Sequence, residues 1–481
     1  MSWPRELTRI AGILSDDEGG PLIEALTKVI AGLAADYADV RYEENEKTLI
    51  RYEGKVLREV SAASTRGGHL RAYASGGKAI ASFSRLEDAH SLAQTTSASA
   101  RLAAGHRDRP LRLATAPVER GSFPASPKND PRRLSLREKQ GLVEHYNSLV
   151  LQEPRVATTI AQYDEFYSHR HFTNSEGTAV EYELLIVNIT GSIAVKRKDL
   201  VQRVRFAYGG NDDLAGLLDR DDELRERVAR ACELLEAEPV KAGLFPVILD
   251  PDEAGVFIHE AFGHLSEADG IQNNPSFRAR LELGTPLGRP ILSVSDDPAL
   301  LDRPGGCVID DEGVRARKTR LVTNGILAGR LHSRETAAEF GEPLSGNMRA
   351  VDAPYTPIVR MSNILIEPGS STFAEMVASI DDGYYLVGAK GGQTAGDQFS
   401  FGAMWGFRIR GGRLGRMVRD VNMSGELFST LRGISMVGDD LHFAESGGCG
   451  KGGGGPIQMN RKSGKGAPHI KIDRVTLGGT R

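Results

Sequence analysis

Cysteine is scarce in this chain: three residues in 481, at positions 232, 307 and 449, too few and too far apart for a disulfide framework. Each is left for packing, ligation or chemistry. Charge of one sign is missing as well. With 60 Lys and Arg against 64 Asp and Glu, a net charge of −4 gives no electrostatic reason to bind nucleic acid or a membrane surface. No apolar run approaches the roughly eighteen residues that a membrane span requires. The opening Met1-Ser-Trp-Pro-Arg-Glu-Leu also lacks the basic-then-apolar layout of a signal peptide, so a cytoplasmic location is expected. What remains, 40% hydrophobic and 26% charged residues, is an ordinary globular composition in a chain long enough for two cores.

Periodicity places the elements. Residues 21–36 carry apolar side chains at helical spacing. Alternation marks strands at Val40–Tyr42, Thr48–Tyr52 and Lys55–Val60, and His69–Ser75 faces Lys78–Ser84 across Gly76-Gly77, a two-residue hairpin turn. A helix follows near 86–103. Residues 105–133 turn to proline, arginine and serine without period and read as a net-basic, solvated connection. Ser135 and Glu138 form a capping box for a helix to about Leu151, and further strands run from about Val156 to Arg205. On one of them His169 and His171 read as two exposed polar positions rather than a metal pair, for want of an acidic or cysteine partner beside them.

Asp221–Glu238 is a charged helix with Leu224, Val228, Ala231, Cys232 and Leu235 on one side, which makes Cys232 a small buried hydrophobe. Pro239 ends it, and 238–243 is the expected domain boundary. The fold class is α+β: residues 1–238 an N-terminal domain of antiparallel strands and helices, residues 244–481 a β-rich domain carrying the helix described next. From 306 onward short strands and turns, rich in glycine, are broken by one helical stretch at Ser371–Ile380, and Cys307 opens an expected structural strand, Cys307–Asp311.

The chemistry concentrates in His259-Glu-Ala-Phe-Gly-His264. Two imidazoles with a carboxylate beside the first are the parts of a metal-activated water and its general base. The familiar zinc-protease spacing is H-E-x-x-H, four residues on one helical face; here the histidines are five apart, about 140° round an ideal helix. A π-type turn would bring them back to one face, and Gly263, without a Cβ, eases such a distortion. The motif is fed directly by a strand, Leu244–Leu249, with Asp250 as N-cap, Pro251 at the first helical position and Glu253 completing a capping box. Beyond it, residues 270–301 are irregular, a candidate lid over the site.

A catalytic zinc takes three protein ligands and leaves a position for water. Candidates for the third are Glu267, Asp269 and Cys449, the last in Glu445-Ser-Gly-Gly-Cys-Gly-Lys451, where flanking glycines let the backbone approach an ion and Lys451 would hold the sulfur as thiolate. The loop is no phosphate-binding P-loop: Glu445 stands where its first Gly belongs and Gly452 follows the Lys.

Together these residues resemble the TldD/PmbA metalloprotease family, specifically the TldD-like branch that keeps the metal site. The resemblance rests on 259–269, Asp310-Asp-Glu-Gly313, Val359-Arg-Met-Ser-Asn363, Gly391-Gly-Gln393, Ile434-Ser-Met-Val-Gly-Asp-Asp440, Cys449-Gly-Lys451 and Val475-Thr-Leu-Gly-Gly-Thr480. It covers most of the C-terminal half; the N-terminal half matches mainly in element order. It implies a zinc peptidase in which His259, His264 and Cys449 ligate Zn2+ and Glu260 is the general base. Its substrate would be an extended peptide admitted as an added strand, and its state a homodimer or a heterodimer with a PmbA-like paralogue. After Cys-Gly-Lys the family tends to Glu-Gly-Gln where this chain has Gly452-Gly-Gly454, a departure that bears on local substrate contacts. Two other classes share these residues: a non-catalytic peptide-binding or maturation partner with a structural zinc, closed by Glu267 or Glu445 as fourth ligand, and a metal-dependent amidase on non-peptide substrates.

Overall fold

The computed structural model describes residues 19–445, 448–452, 457–460 and 463–478. The first eighteen residues, Gly453-Gly454 and the end of the terminal motif therefore lie outside the described residues.

The N-terminal part runs α1 (Gly19–Ile30), β1 (Tyr37–Glu53), β2 (Val56–Ala74), β3 (Gly77–Phe83), α2 (Leu86–Ala104), β4 (Arg120–Phe123), α3 (Leu136–Val150), β5 (Val156–Asn174), β6 (Ala179–Arg197), β7 (Leu200–Gly209) and α4 (Asp221–Glu233). Its seven-stranded sheet has the order β3-β2-β1-β5-β6-β4, with β7 also on β6. The short alternating stretches expected at 40–42 and 48–52 are one strand, because the residues between them pair with β2 on one side and β5 on the other. The β2–β3 turn is Ser75-Gly76, one residue earlier than expected; φ values of +54° and +82° give it the left-handed pair that matches strand twist.

Along β1 and the middle of β5 both faces of this sheet are buried, by different chemistry. Ala38, Val40, Tyr42, Ile50 and Tyr52 of β1 lie in apolar clusters with α1, α2, α3 and α4. The alternate residues Asp39, Arg41, Glu43 and Asn45 are equally buried, although polar. They face the C-terminal part, where Asp310-Asp-Glu-Gly313 is a turn rather than the strand expected from Cys307 to Asp311: Asp310 Oδ1 accepts from the N–H groups of Glu312 and Val314. That turn inserts two carboxylates into the sheet's polar face. Arg170 reaches Glu43 at 2.7 Å and Asp311 at 3.0 Å, Tyr182 donates to Asp311 at 2.6 Å, and Arg71 spans Asp39 at 2.5 Å and Glu312 at 2.8 Å. Burial raises the Asp311 pKa, but Arg170 and Arg41 outweigh it and hold the carboxyl well below its usual range.

The basic segment 105–133, expected to be a solvated loop, straps the two parts together. Leu111 N–H donates to Gly76 O, Ala114 N–H to Arg334 O, and Glu119 pairs with Arg315 at 2.8 Å.

In the C-terminal part, β8 (Glu238–Pro239) and β9 (Gly243–Leu249) join an eight-stranded sheet. Its strand Asp382–Ala395 pairs with both β9 and Gln398–Arg410, so the pairings close into a circuit through Ile470–Gly478 and Asn422–Glu426. α5 (Pro251–Ile258) leaves β9 and buries Phe257 against Phe399 and Phe401. A second sheet, containing Asn363–Ile366 and Gly464–Ala467 as parallel neighbours, lies beyond α5. The expected helix at 371–380 is Phe373–Ala378. Cys232 is a buried core residue, as its helix position implied. No helix among the described residues is long and apolar enough to cross a membrane.

Removing one partner of a buried charge network leaves the others uncompensated. Asp311→Ala is expected to cost about 3–5 kcal/mol of stability in urea unfolding. Lys47→Ala, at the partly exposed Lys47–Asp352 pair (2.9 Å), is expected to cost under about 1 kcal/mol.

Candidate metal centre

Asp250 caps α5 through Glu253 N–H at 2.8 Å, with Pro251 at the first helical position. The next turn, His259–Gly263, is π-helical, and His264 N–H donates to His259 O, five residues back. The two imidazoles thereby come together, ring centroids 5.2 Å apart and planes at 80°. Gly263 has another reason than the one expected. Its φ of −53° and ψ of −48° suit any residue. What glycine provides is space, since an added Cβ would stand 2.2 Å from Met361 Sδ and 2.9 Å from Ile364 Cδ1.

Cys449 lies across from this turn, its Sγ 3.0 Å from His264 Nε2. It starts the strand Cys449–Lys451, paired with Gln458–Asn460. Ligand-type atoms of His259, Glu260, His264 and Cys449 all fall within 4.8 Å of one another. Glu260 Oε2 is 3.8 Å from His264 Nε2, and its backbone carbonyl accepts from Thr394 Oγ1 at 3.1 Å.

The donor set fits a metal ion on its own chemistry. His259 is fully buried, yet neither ring nitrogen has a hydrogen-bond partner among the described residues. An unpaired imidazole in a closed interior is costly unless something coordinates it. Burial, then Lys465 and His264, push its pKa well down, so the ring is neutral, the form that binds metal. His264 is the opposite case: burial lowers its pKa, but Glu267 and the Cys449 sulfur outweigh it and carry it up to about 10. Metal binding at His264 Nε2 therefore releases a proton.

The other two candidates for the third donor are taken up elsewhere. Glu267 accepts from His264 Nδ1 at 2.9 Å, Lys451 Nζ at 2.9 Å and Met361 N–H at 3.3 Å. Burial raises its pKa, and Lys451 and His264 more than reverse that, to about 2. Asp269 accepts from Lys451 at 2.6 Å and from Val359 N–H at 3.1 Å. Lys451, expected to hold the sulfur as thiolate, is spent on these two carboxylates and on Val359 O at 2.9 Å. Glu445 pairs with Arg220 of the N-terminal part at 2.5 Å.

Two cations went unread in the sequence. Lys465 donates to Gly448 O at 3.0 Å and buried Arg360 to Cys449 O at 2.8 Å, so the carbonyls on both sides of the Cys449 N–Cα unit are held. Arg360 sits inside Val359-Arg-Met-Ser-Asn363, where its type was visible but its target was not.

Glu260 and His264 open onto a cleft of about 530 Å³ lined also by Asn274, Phe277, Gly392 and Thr394. The expected lid contributes the short helices Ala268–Ile271 and Pro275–Arg280 to it. On the far wall, Asp382–Ala395 pairs with β9 only as far as Leu386; from there to Ala395 it pairs with Gln398–Arg410 alone. Among the described residues, its other edge has no strand partner beside Glu260.

Comparison with known proteins bears on this site. The profile of the PmbA/TldA metallopeptidase C-terminal domain matches residues 242–479, and that of PmbA/TldA metallopeptidase domain 1 matches 38–103. A metalloprotease of Synechocystis is 36% identical over 446 residues, 92% of this chain and 95% of that one. A zinc metalloprotease TldD homolog of Saccharolobus solfataricus is 32% identical over 331 residues, 67% of this chain and 71% of that one. Among solved structures, a putative modulator of a DNA gyrase from Thermotoga maritima shares the fold, with a TM-score of 0.76 at 18% identity, covering 96% of this chain and 100% of that one. TldE from Thermococcus kodakarensis does so with 0.71 at 18%, covering 96% and 99%.

The crowding at Gly263 is directly testable. Gly263→Ala is expected to lower stability by about 1–3 kcal/mol in chemical denaturation. Combined with Met361→Ala, it is expected to cost less than the sum of the two single changes; strict additivity would mean that the two side chains do not compete for one space.

Proposed function

The chain belongs to the TldD/PmbA metallopeptidase family, and from that premise we propose that it is a zinc-dependent peptidase acting on extended peptides. The single observation that carries the reading is the convergence of His259, His264 and Cys449 on one point, with His259 buried and unpartnered and Glu260 alongside.

In this reading His259, His264 and Cys449 hold the ion. When bound, zinc supplies Lewis acidity, making a water acidic near neutral pH and polarising a carbonyl. The chain's own groups do the rest. Glu267 fixes the His264 ring through Nδ1, which leaves Nε2 aimed at the centre. Glu260 takes a proton from the attacking water on its carboxylate and returns it to the leaving amine nitrogen. The unpaired edge of Lys390–Ala395 offers main-chain hydrogen bonds to an extended substrate, giving affinity with little sequence preference. Phe277 and the turn around Asn274 wall the cleft on the opposite side.

A structural zinc would need a fourth protein ligand. Glu267 and Glu445, the residues expected to supply it, are held by Lys451 and Arg220, which favours the open, catalytic arrangement.

Glu260→Gln separates a proton carrier from a ligand. It is expected to keep its zinc by metal analysis while peptide-library cleavage falls about 10²–10⁴-fold. Cys449→Ala is expected to lose turnover, and in cobalt-substituted protein to lose the sulfur-to-metal charge-transfer band. Undiminished cleavage by either variant would overturn the assignment.

A further inference from the structure

Among the described residues, a second group brings ligand-type atoms within 4.8 Å of one another: His169, His171 and Glu181. It stands on the sheet face covered by helices, the face opposite the interdomain charges. Strand alternation makes this so: Arg170, between the two histidines, points to Asp311, and its neighbours point the other way. The apolar character of that face breaks here. Tyr163 belongs to the cluster under α3 and α4, and Thr173 meets Thr27 of α1 at 3.1 Å. Between them on β5 come Glu165, Tyr167, His169 and His171. The group thus lies in a polar stripe between the two helix pairs, with His169 and Glu181 partly open to solvent.

The sequence pattern leads one to expect an exposed pair without an acidic partner, and for His171 the structure differs on both points. His171 is only 3% exposed. The partner comes from the neighbouring strand, because β5 and β6 pair His171 directly with Glu181.

A simple hydrogen bond explains part of the group: His169 Nε2 lies 2.6 Å from Glu181 Oε1. It leaves His171 unexplained. The Nδ1 of that buried ring has no partner among the described residues, and Nε2 stands 3.9 Å from Glu181 Oε2, too far for a hydrogen bond. The rings of His169 and His171 are tilted together, centroids 4.4 Å apart, with no bond between them. Donor atoms about 2.0–2.2 Å from a tetrahedral ion lie about 3.3–3.5 Å from one another. His169 Nε2 is 2.6 Å from Glu181 Oε1 and His171 Nε2 is 3.9 Å from Oε2, and one donor atom from each residue lies within 4.8 Å of the others, so an ion enters with a turn of the carboxylate and side-chain shifts of about an ångström.

We propose that His169, His171 and Glu181 form a second metal site, a three-ligand site for a divalent transition ion of the zinc class, separate from the peptidase centre. Two imidazoles and one carboxylate select such an ion over magnesium or calcium, which prefer all-oxygen sets. The fourth position, on the solvent side, is open to water.

The test uses the full chain, first as the double variant His264→Ala/Cys449→Ala, so that the peptidase centre keeps a single imidazole, and then with His171→Asn or Glu181→Gln added. The probe is cobalt(II), with zinc competition and metal analysis alongside. In the double variant, cobalt is expected to give ligand-field bands without a sulfur charge-transfer band, at one ion per chain, and to raise Tm. Adding His171→Asn or Glu181→Gln is expected to abolish the bands and the Tm shift. Glu181→Gln keeps an acceptor for His169, so it reports on ligation even if a histidine variant fails to fold. No cobalt bands in the double variant, or bands unchanged by Glu181→Gln, would overturn the proposal. Because the readout is taken without the peptidase centre, failure here leaves the peptidase reading standing, and failure of that reading leaves this one standing.

Discussion

The buried carboxylate of Glu267 is the interaction on which the centre depends. A fully buried carboxylate is stable only if its lone pairs are satisfied and its charge is matched. His264, Lys451 and the Met361 N–H do this together, and in doing so bring three remote segments to one point. The π-turn supplies His264, the Cys449–Lys451 strand supplies the ammonium, and Val359–Asn363 supplies the backbone donor. Withdrawing the π-turn or the Cys449–Lys451 strand removes a charge partner of the carboxylate, and withdrawing Val359–Asn363 removes a backbone donor. The geometry of His264 and Cys449 thus follows from satisfying a buried carboxylate at the edge of the same cleft.

This also explains which parts of the site were legible in the sequence. The π-turn was, since it follows from local geometry: two histidines five apart that must share a face leave few backbone options. The cap at Asp250 and Pro251 was legible for the same reason. Glu267 and Lys451 are visible as residue types, one among three candidates for the third ligand and the other as a thiolate partner. The sequence shows that a carboxylate and an ammonium are near the motif, and only packing shows that they pair with each other. His169 and His171 were misread for a related reason, because the acidic partner is ten residues away along the chain but directly across the ladder. Cross-strand neighbours are the contacts that a linear reading finds last.

The N-terminal sheet shows a similar limit at the level of the fold. Its helix-covered face follows the usual alternation and was foreseen in outline. Its other face alternates too, but with charge in place of apolar residues, which a linear reading assigns to solvent. The Asp310–Gly313 turn makes that face interior. Gly313, at φ +70° and with Phe172 where a Cβ would go, lets the turn lie against the sheet closely enough for both carboxylates to reach their arginines. Ion pairs of this kind add little net stability over apolar packing, but they tolerate no slip, since a shift of one residue would bury every charge without its partner. They set register between the two parts.

That register matters to the centre. The chain reaches Cys449 through Glu445, whose carboxylate is bound by Arg220 and by the Gly209 N–H of the N-terminal part. On the other side Lys465 and Arg360 of the C-terminal part hold the carbonyls flanking Cys449. On the open strand edge, an added Cβ at Gly391 would stand 3.9 Å from Arg205 of β7. The N-terminal sheet therefore lies beside both the approach to the sulfur and the unpaired strand edge. The described residues on either side of Cys449 are therefore held from both parts of the chain, Glu445 by the N-terminal part and the Gly448 and Cys449 carbonyls by the C-terminal part. The position of the sulfur relative to His264 thus depends on how the two parts are seated, and the charged face is what seats them.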